Sequence, residues 1–72
     1  MATLGRKVFV IPRQDWTGHV TDAQKNALHA RNIAALTRSL RLNGIPFRAV
    51  LATGVEGNAD GASVNLTYDW TD

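Results

Sequence analysis

Residues 21–46 read TDAQKNALHARNIAALTRSLRLNGIP, and this stretch decides the fold. Thr21 and Gln24 stand three apart, the spacing of a capping box in which hydroxyl and amide side chains satisfy each other's first-turn donors. The body is rich in Ala, Leu, Arg and Lys, all good helix formers. Asn43-Gly44 supplies a left-handed C-cap, Ile45 the apolar contact that follows it, and Pro46 bars continuation. The pattern predicts one helix over about 22–42.

At 100° per residue, His29, Ile33, Leu36 and Leu40 share a stripe expected to face a sheet. Leu28, Ala35 and Leu42 form a thinner apolar line on nearly the opposite side. Arg31, Arg38 and Arg41 lie between the two, interleaved with Ala27 and Ala34. A helix covering one sheet needs only one apolar stripe. The second line therefore predicts an oligomer interface through Leu28, Ala35 and Leu42.

On either side the chain reads as strand. Val8-Phe9-Val10-Ile11 is β-branched or aromatic throughout and ends at Pro12, which cannot donate to a ladder. The run does not alternate, so both of its faces are expected to be covered. Residues 13–20 have no period and read as a loop. Phe47 to Ala52 reads as a second strand, and residues 53–61 as a flexible, glycine-rich connection. Ala62, Val64, Leu66, Tyr68 and Trp70 then alternate with Ser63, Asn65, Thr67 and Asp69, a half-buried strand with one polar face. The expectation is a single α+β domain over 1–72: a βαββ unit with a three-stranded mixed sheet and the long helix on one face. A helical crossover makes the first two strands parallel.

Seventy-two residues bury a small core, which favours oligomerisation or a bound partner. No cysteine is available for a disulfide or a thiolate zinc site, and His19 and His29 are the only imidazoles, so no metal site and no cofactor is expected. The longest apolar run is too short to span a bilayer, and the first residues turn basic without a signal-peptide pattern. The chain reads as cytoplasmic, with no membrane partner.

Charge is unevenly placed. Residues 1–48 hold all eight bases and two acids, a net of +6; residues 49–72 hold four acids and no base, a net of −4. Such a molecule offers a basic face to an acidic partner or pairs with copies of itself.

Few residues suggest chemistry. Glu56 to Gly61 matches half of an EF-hand loop, but Glu56 stands where Asp is usual and Thr67 where the bidentate Glu belongs; a hairpin loop is the plainer reading. His19 has no nucleophile at a recognisable spacing and reads as a solvated loop histidine. His29 reads as a core-edge histidine with one hydrogen bond. Trp16, beside Arg13 and Asp15, either plugs the end of the core or anchors an interface; Trp70 clips the last strand. The helix arginines are suited to phosphates or to acidic protein surfaces, but no aromatics interleave with them and no glycine-rich phosphate loop precedes the helix.

Val8-Phe9-Val10-Ile11-Pro12, then Asn32 with Leu36 and Leu40, Gly44-Ile45-Pro46-Phe47 and Gly54 before a short strand, resemble small phage-encoded βαββ accessory proteins. Those proteins carry a helix ending "N…L…L…G(I/L)" and a "G.Y.G..E.S" hairpin. More distantly, the first half is similar to the phage enzymes that degrade S-adenosylmethionine. The resemblance implies a counter-defence or host-takeover role in the host cytoplasm. In those enzymes a glutamate near the start of the hairpin's second strand is central; Ala62 stands in that place here, and the second half of the enzyme fold has no counterpart. The expected function is therefore non-catalytic: an oligomeric inhibitor that binds a host protein through Arg13, Trp16, Arg31, Arg38 and Arg41. The alternatives are a trimeric S-adenosylmethionine-cleaving enzyme using Glu56 or Asp60, and a weak nucleic-acid binder using the arginine face.

Overall fold

The long helix forms over the span its caps specify. In a computed structural model that describes residues 2–72, the strands and helices follow in the order β1 (Thr3–Pro12), α1 (Arg13–Gly18), α2 (Asp22–Leu42), β2 (Ala49–Gly57) and β3 (Ser63–Thr71). Both halves of the capping box close: Gln24 N–H donates to the Thr21 hydroxyl at 3.1 Å, and Thr21 N–H donates to Gln24 Oε1 at 2.9 Å. At the other end Gly44 adopts φ +68°, and the Ile45 and Gly44 amides donate back to the Leu40 and Arg41 carbonyls at 2.9 and 3.1 Å. This paired closure satisfies carbonyls the last turn would otherwise orphan.

The three strands make one sheet in the order β1-β3-β2. The alternating strand, expected at the end of the chain, is the central one. Both ladders are antiparallel, so the sheet is not mixed. β1 and β2 still run the same way, as a helical crossover requires, but β3 lies between them. The most apolar alternation belongs in the middle because a central strand gains neighbours on both sides; Leu66 and Tyr68 are fully buried.

Partners directly opposite in an antiparallel ladder share a face. Lys7/Tyr68, Phe9/Leu66 and Ile11/Val64 therefore lie under α2, and Arg6/Asp69, Val8/Thr67 and Val10/Asn65 lie on the open face. The core comprises Leu28, Leu36, Leu40, Val64, Leu66 and Tyr68, with Phe9, Ile11, Trp16, Ile33, Phe47, Val50 and Trp70 packed around it.

The helix is rotated from its expected phase. Leu28, Asn32, Leu36 and Leu40 are its buried residues, while His29 and Ile33 are only half-buried. Of the expected interface line of Leu28, Ala35 and Leu42, Leu28 belongs instead to the core, while Ala35 and Leu42 are exposed. The cause is Asn32. Its polarity hides it from an apolar pattern, but its side-chain amide donates to the buried Tyr68 hydroxyl at 3.0 Å, so the buried stripe passes through it.

Further boundaries differ, and β2 and β3 begin at Ala49 and Ser63 rather than at Phe47 and Ala62. β1 begins at Thr3 rather than Val8, because Arg6 gains a cross-strand partner in Asp69. Residues 13–18, expected as loop, form the short α1, whose first amide, Arg13 N–H, donates to the Ala62 carbonyl at 2.9 Å. β2 continues to Gly57 through a bulge between Ala52 and Gly54, so the glycine-rich connection contracts to a tight turn around Asn58–Ala62.

Candidate functional site

The outer surface of α2 carries Arg31, Arg38 and Arg41, all exposed. Their spacing sets them within about 80° of one another around the helix axis, on the side opposite Leu36 and Leu40. Among the described residues only Arg6 has a carboxylate within 4.0 Å, so no ion pair forms along this row. Arg41 places its guanidinium 5.7 Å from the Phe47 ring centroid, which orients that charge at the C-terminal end of α2. Arg31 stands on the lip of a cleft.

Arg13 and Trp16 were expected on the same binding surface. The structure engages both internally. Arg13 reaches the β2–β3 hairpin: its guanidinium lies 3.1 Å from where a Cβ on Gly57 would sit, and its charge acts on Asp60. Trp16 is half-buried and packs on the core, with its ring centroid 5.8 Å from that of His29 and the Lys25 ammonium 5.2 Å from its centroid. Of the two readings of Trp16, the core plug is the one with contacts. Lys25 also donates to the His19 carbonyl, and His19 Nδ1 donates to the Asp15 carbonyl at 2.6 Å, which closes the end of α1.

Asp60 is held by the turn it occupies. Its Oδ1 accepts the Ala62 amide at 2.9 Å and the Ser63 amide at 3.3 Å, and the Ser63 hydroxyl lies 3.3 Å from both carboxylate oxygens. The Ala62 hydrogen bond foremost, then those from Ser63 and the Arg13 charge, hold its carboxyl below the ordinary carboxylate value. A base that must accept a proton is poorly served by such a setting. Glu56 pairs with Asn65 on the open face of the sheet, and neither cleft described below includes it. The structure therefore does not bring Glu56 and Asp60 together around a cavity.

Sequence reasoning missed the buried polar group centred on Tyr68. Asn32 donates to its hydroxyl at 3.0 Å, and His29 Nδ1 shares a hydrogen bond with the same hydroxyl at 2.6 Å. Phe9 meets the Tyr68 ring edge-on, with centroids 5.3 Å apart. Burial pushes the Tyr68 hydroxyl pKa up, against a smaller opposing effect of Asn32. Tyr68 is fully buried, so this group positions α2 on the sheet and is closed to substrate.

Two clefts follow one another along the flank of α2 that faces β1. The first, about 340 Å³, lies between Ile11, the α1 residues Gln14 and Asp15, and Leu28 and Arg31 of α2. The second, about 420 Å³, is more apolar, with Phe9, Leu36, Leu40, Ile45 and Trp70 around it and Lys7 at its rim. They exist because α2 makes its closest backbone approach to β2, leaving the β1 side of the sheet less covered.

Among the described residues no group of three or more His, Cys, Asp or Glu side chains is gathered to hold a metal ion, and no helix is long and apolar enough to cross a membrane. Compared with known proteins, the chain matches no family model, no curated protein and no solved structure.

Proposed function

We propose that this chain is a small, non-catalytic, phage-type protein that binds and inhibits a host protein, with the arginine face of α2 set against an acidic patch on that partner. The observation that carries this reading is the row Arg31, Arg38 and Arg41, exposed on one helix face with no carboxylate of the described residues within 4.0 Å of it. A rigid helix, fixed at both ends by its caps, presents these charges at constant spacing and so favours one complementary surface over others. The lyase reading has less support, since Asp60 is committed to its turn and Glu56 lines neither cleft beside α2. For nucleic acid, the face lacks aromatic side chains to stack with bases.

The test compares the parent with the triple variant Arg31→Glu/Arg38→Glu/Arg41→Glu, both immobilised and exposed to bacterial lysate with quantitative mass spectrometry. One host protein retained by the parent and lost from the variant supports the reading. Equal retention by both, or salt-dependent enrichment of nucleic acid alone, overturns it. S-adenosylmethionine breakdown by the purified parent would replace it with the enzyme.

A further inference from the structure

The strand β1 is an edge strand of ten residues, hydrogen-bonded on one side only. Long edges of this kind invite another strand unless something blunts them. The opposite edge is blunted: β2 is broken mid-strand by the bulge between Ala52 and Gly54. In β1 the bulge falls at the extreme end, between Thr3 and Gly5, and leaves Gly5–Pro12 regular. Two apolar residues of that stretch remain open on the uncovered face, Val8 at 40% and Val10 at 63% exposure.

The charges of β1 select the occupant and its direction. Arg6 and Lys7 occupy the first half of the regular stretch, and Val8 to Ile11 the second. Two copies paired in parallel would stack base on base, which is unfavourable. Antiparallel pairing about a two-fold axis sets each basic half against the other copy's apolar half. It also carries the second copy's Lys7 toward Ile11 on the helix-covered face, where Asp15 lines the same cleft. Among the described residues neither Lys7 nor Asp15 has an oppositely charged side chain within 4.0 Å. The symmetry makes the contact twice.

We infer that a second copy of this chain adds to the β1 edge, antiparallel, to form a six-stranded sheet tied by two reciprocal Lys7–Asp15 ion pairs. The two clefts beside β1 then meet across the axis, and Val8 and Val10 gain cross-strand neighbours. Arg31 stands on the lip of the first of these clefts, whereas Arg38 and Arg41 line neither, so the Lys7 and Asp15 variants test the dimer and the Arg38 variant tests the host interface.

Sedimentation of the full chain from 1 to 200 µM (concentrations on the order of those at which such dimers form) should show a dimer. Lys7→Glu and Asp15→Lys, each folded by circular dichroism, should each weaken it about tenfold or more, through like charges at both contacts. The double variant Lys7→Glu/Asp15→Lys should restore the parent affinity. Val20→Lys, on an exposed loop, should change nothing. Amide exchange read residue by residue should slow at alternate positions of β1 as concentration rises, which tests the edge without any substitution. A monomer throughout the range overturns the inference. So does a dimer whose β1 amides exchange independently of concentration, or one that the double charge swap fails to restore.

Discussion

The indole of Trp70 occupies the space that a side chain on Gly5 would need: a Cβ built there would lie 2.2 Å from Trp70 Cζ2 and 2.6 Å from Cε2. The two residues are cross-strand partners in the β1–β3 ladder. A bare backbone in β1 thus lets a large aromatic close one end of a core that has few residues to spare. Gly5→Ala should force the indole outward and cost about 1–3 kcal/mol, the range for an extra group driven into a packed site. Chemical denaturation measures it. An unchanged midpoint would show that Trp70 moves freely and clips nothing.

Tyr68 anchors α2 through two hydrogen bonds, with Asn32 and with His29. Tyr68→Phe keeps the ring and its edge contact with Phe9 but strands two polar side chains near the core. Its expected cost is about 1–3 kcal/mol. Leu36→Ala, an apolar truncation on the same buried stripe, should cost about 2–5 kcal/mol. Tyr68 also sets an alkaline limit. Its pKa is raised in the fold, so its stabilising effect is complete below the unfolded value of 10.0 and is lost as pH rises through the higher folded value. Denaturation midpoints of the parent should fall as pH rises past 10.0, and Tyr68→Phe should remove that part of the fall.

How much of this was legible from residues alone depends on whether the signal was local. The limits of α2 were legible because Thr21, Gln24 and Gly44 act within one turn of where they stand. The alternation of β3 was legible because one face of a sheet is apolar and the other is not. The helix phase was misjudged because the group that buries Asn32 lies 36 positions away. The first turn of β1 was missed for a similar reason: Gly5, Arg6 and Lys7 look unlike strand residues until Trp70, Asp69 and Tyr68 are opposite them. α1 is too short to show a period. The exposed arginine face followed directly from helical spacing, whereas the inward placement of Trp16 depends on His29 and Lys25, which no pattern around residue 16 reveals.

On the open face Arg6 grips Asp69 at two points, Nε to Oδ1 at 2.7 Å and Nη2 to Oδ2 at 3.1 Å. The Arg6 hydrogen bond foremost, then its charge, holds the Asp69 carboxyl below its ordinary value, with the Thr53 hydroxyl helping. A carboxyl whose folded pKa is lowered contributes stability above its unfolded value of 3.8, and that contribution disappears as pH falls through the lower folded value. The parent should therefore lose stability on acidification below about pH 4. Asp69→Asn should start less stable and show a flatter acid limb. Parallel acid limbs for the two proteins would mean that the pair contributes nothing, as exposure of Arg6 on one side could allow.

The final prediction separates binding from chemistry on one set of variants. Under the proposed function, Arg38→Glu reverses a charge on an exposed helix face and leaves the core untouched. It should slow association with the host partner and make binding less sensitive to salt, because steering arises from the summed field of Arg31, Arg38 and Arg41. Its denaturation midpoint should stay within about 0.5 kcal/mol of the parent's, as for most surface changes. Trp16→Ala should do the reverse: lower stability by about 3–5 kcal/mol at most, since the indole is only half-buried, while leaving the affinity of the folded fraction intact. Glu56→Gln should alter neither. An enzyme would invert this order, with Glu56→Gln or Asp60→Asn abolishing turnover and Arg38→Glu mild. Stopped-flow association at two ionic strengths, run beside a turnover assay on S-adenosylmethionine, reads both orders at once. If Arg38→Glu leaves the association rate and its salt dependence unchanged, the arginine face is a plain solvated surface and the proposed mode of binding is wrong.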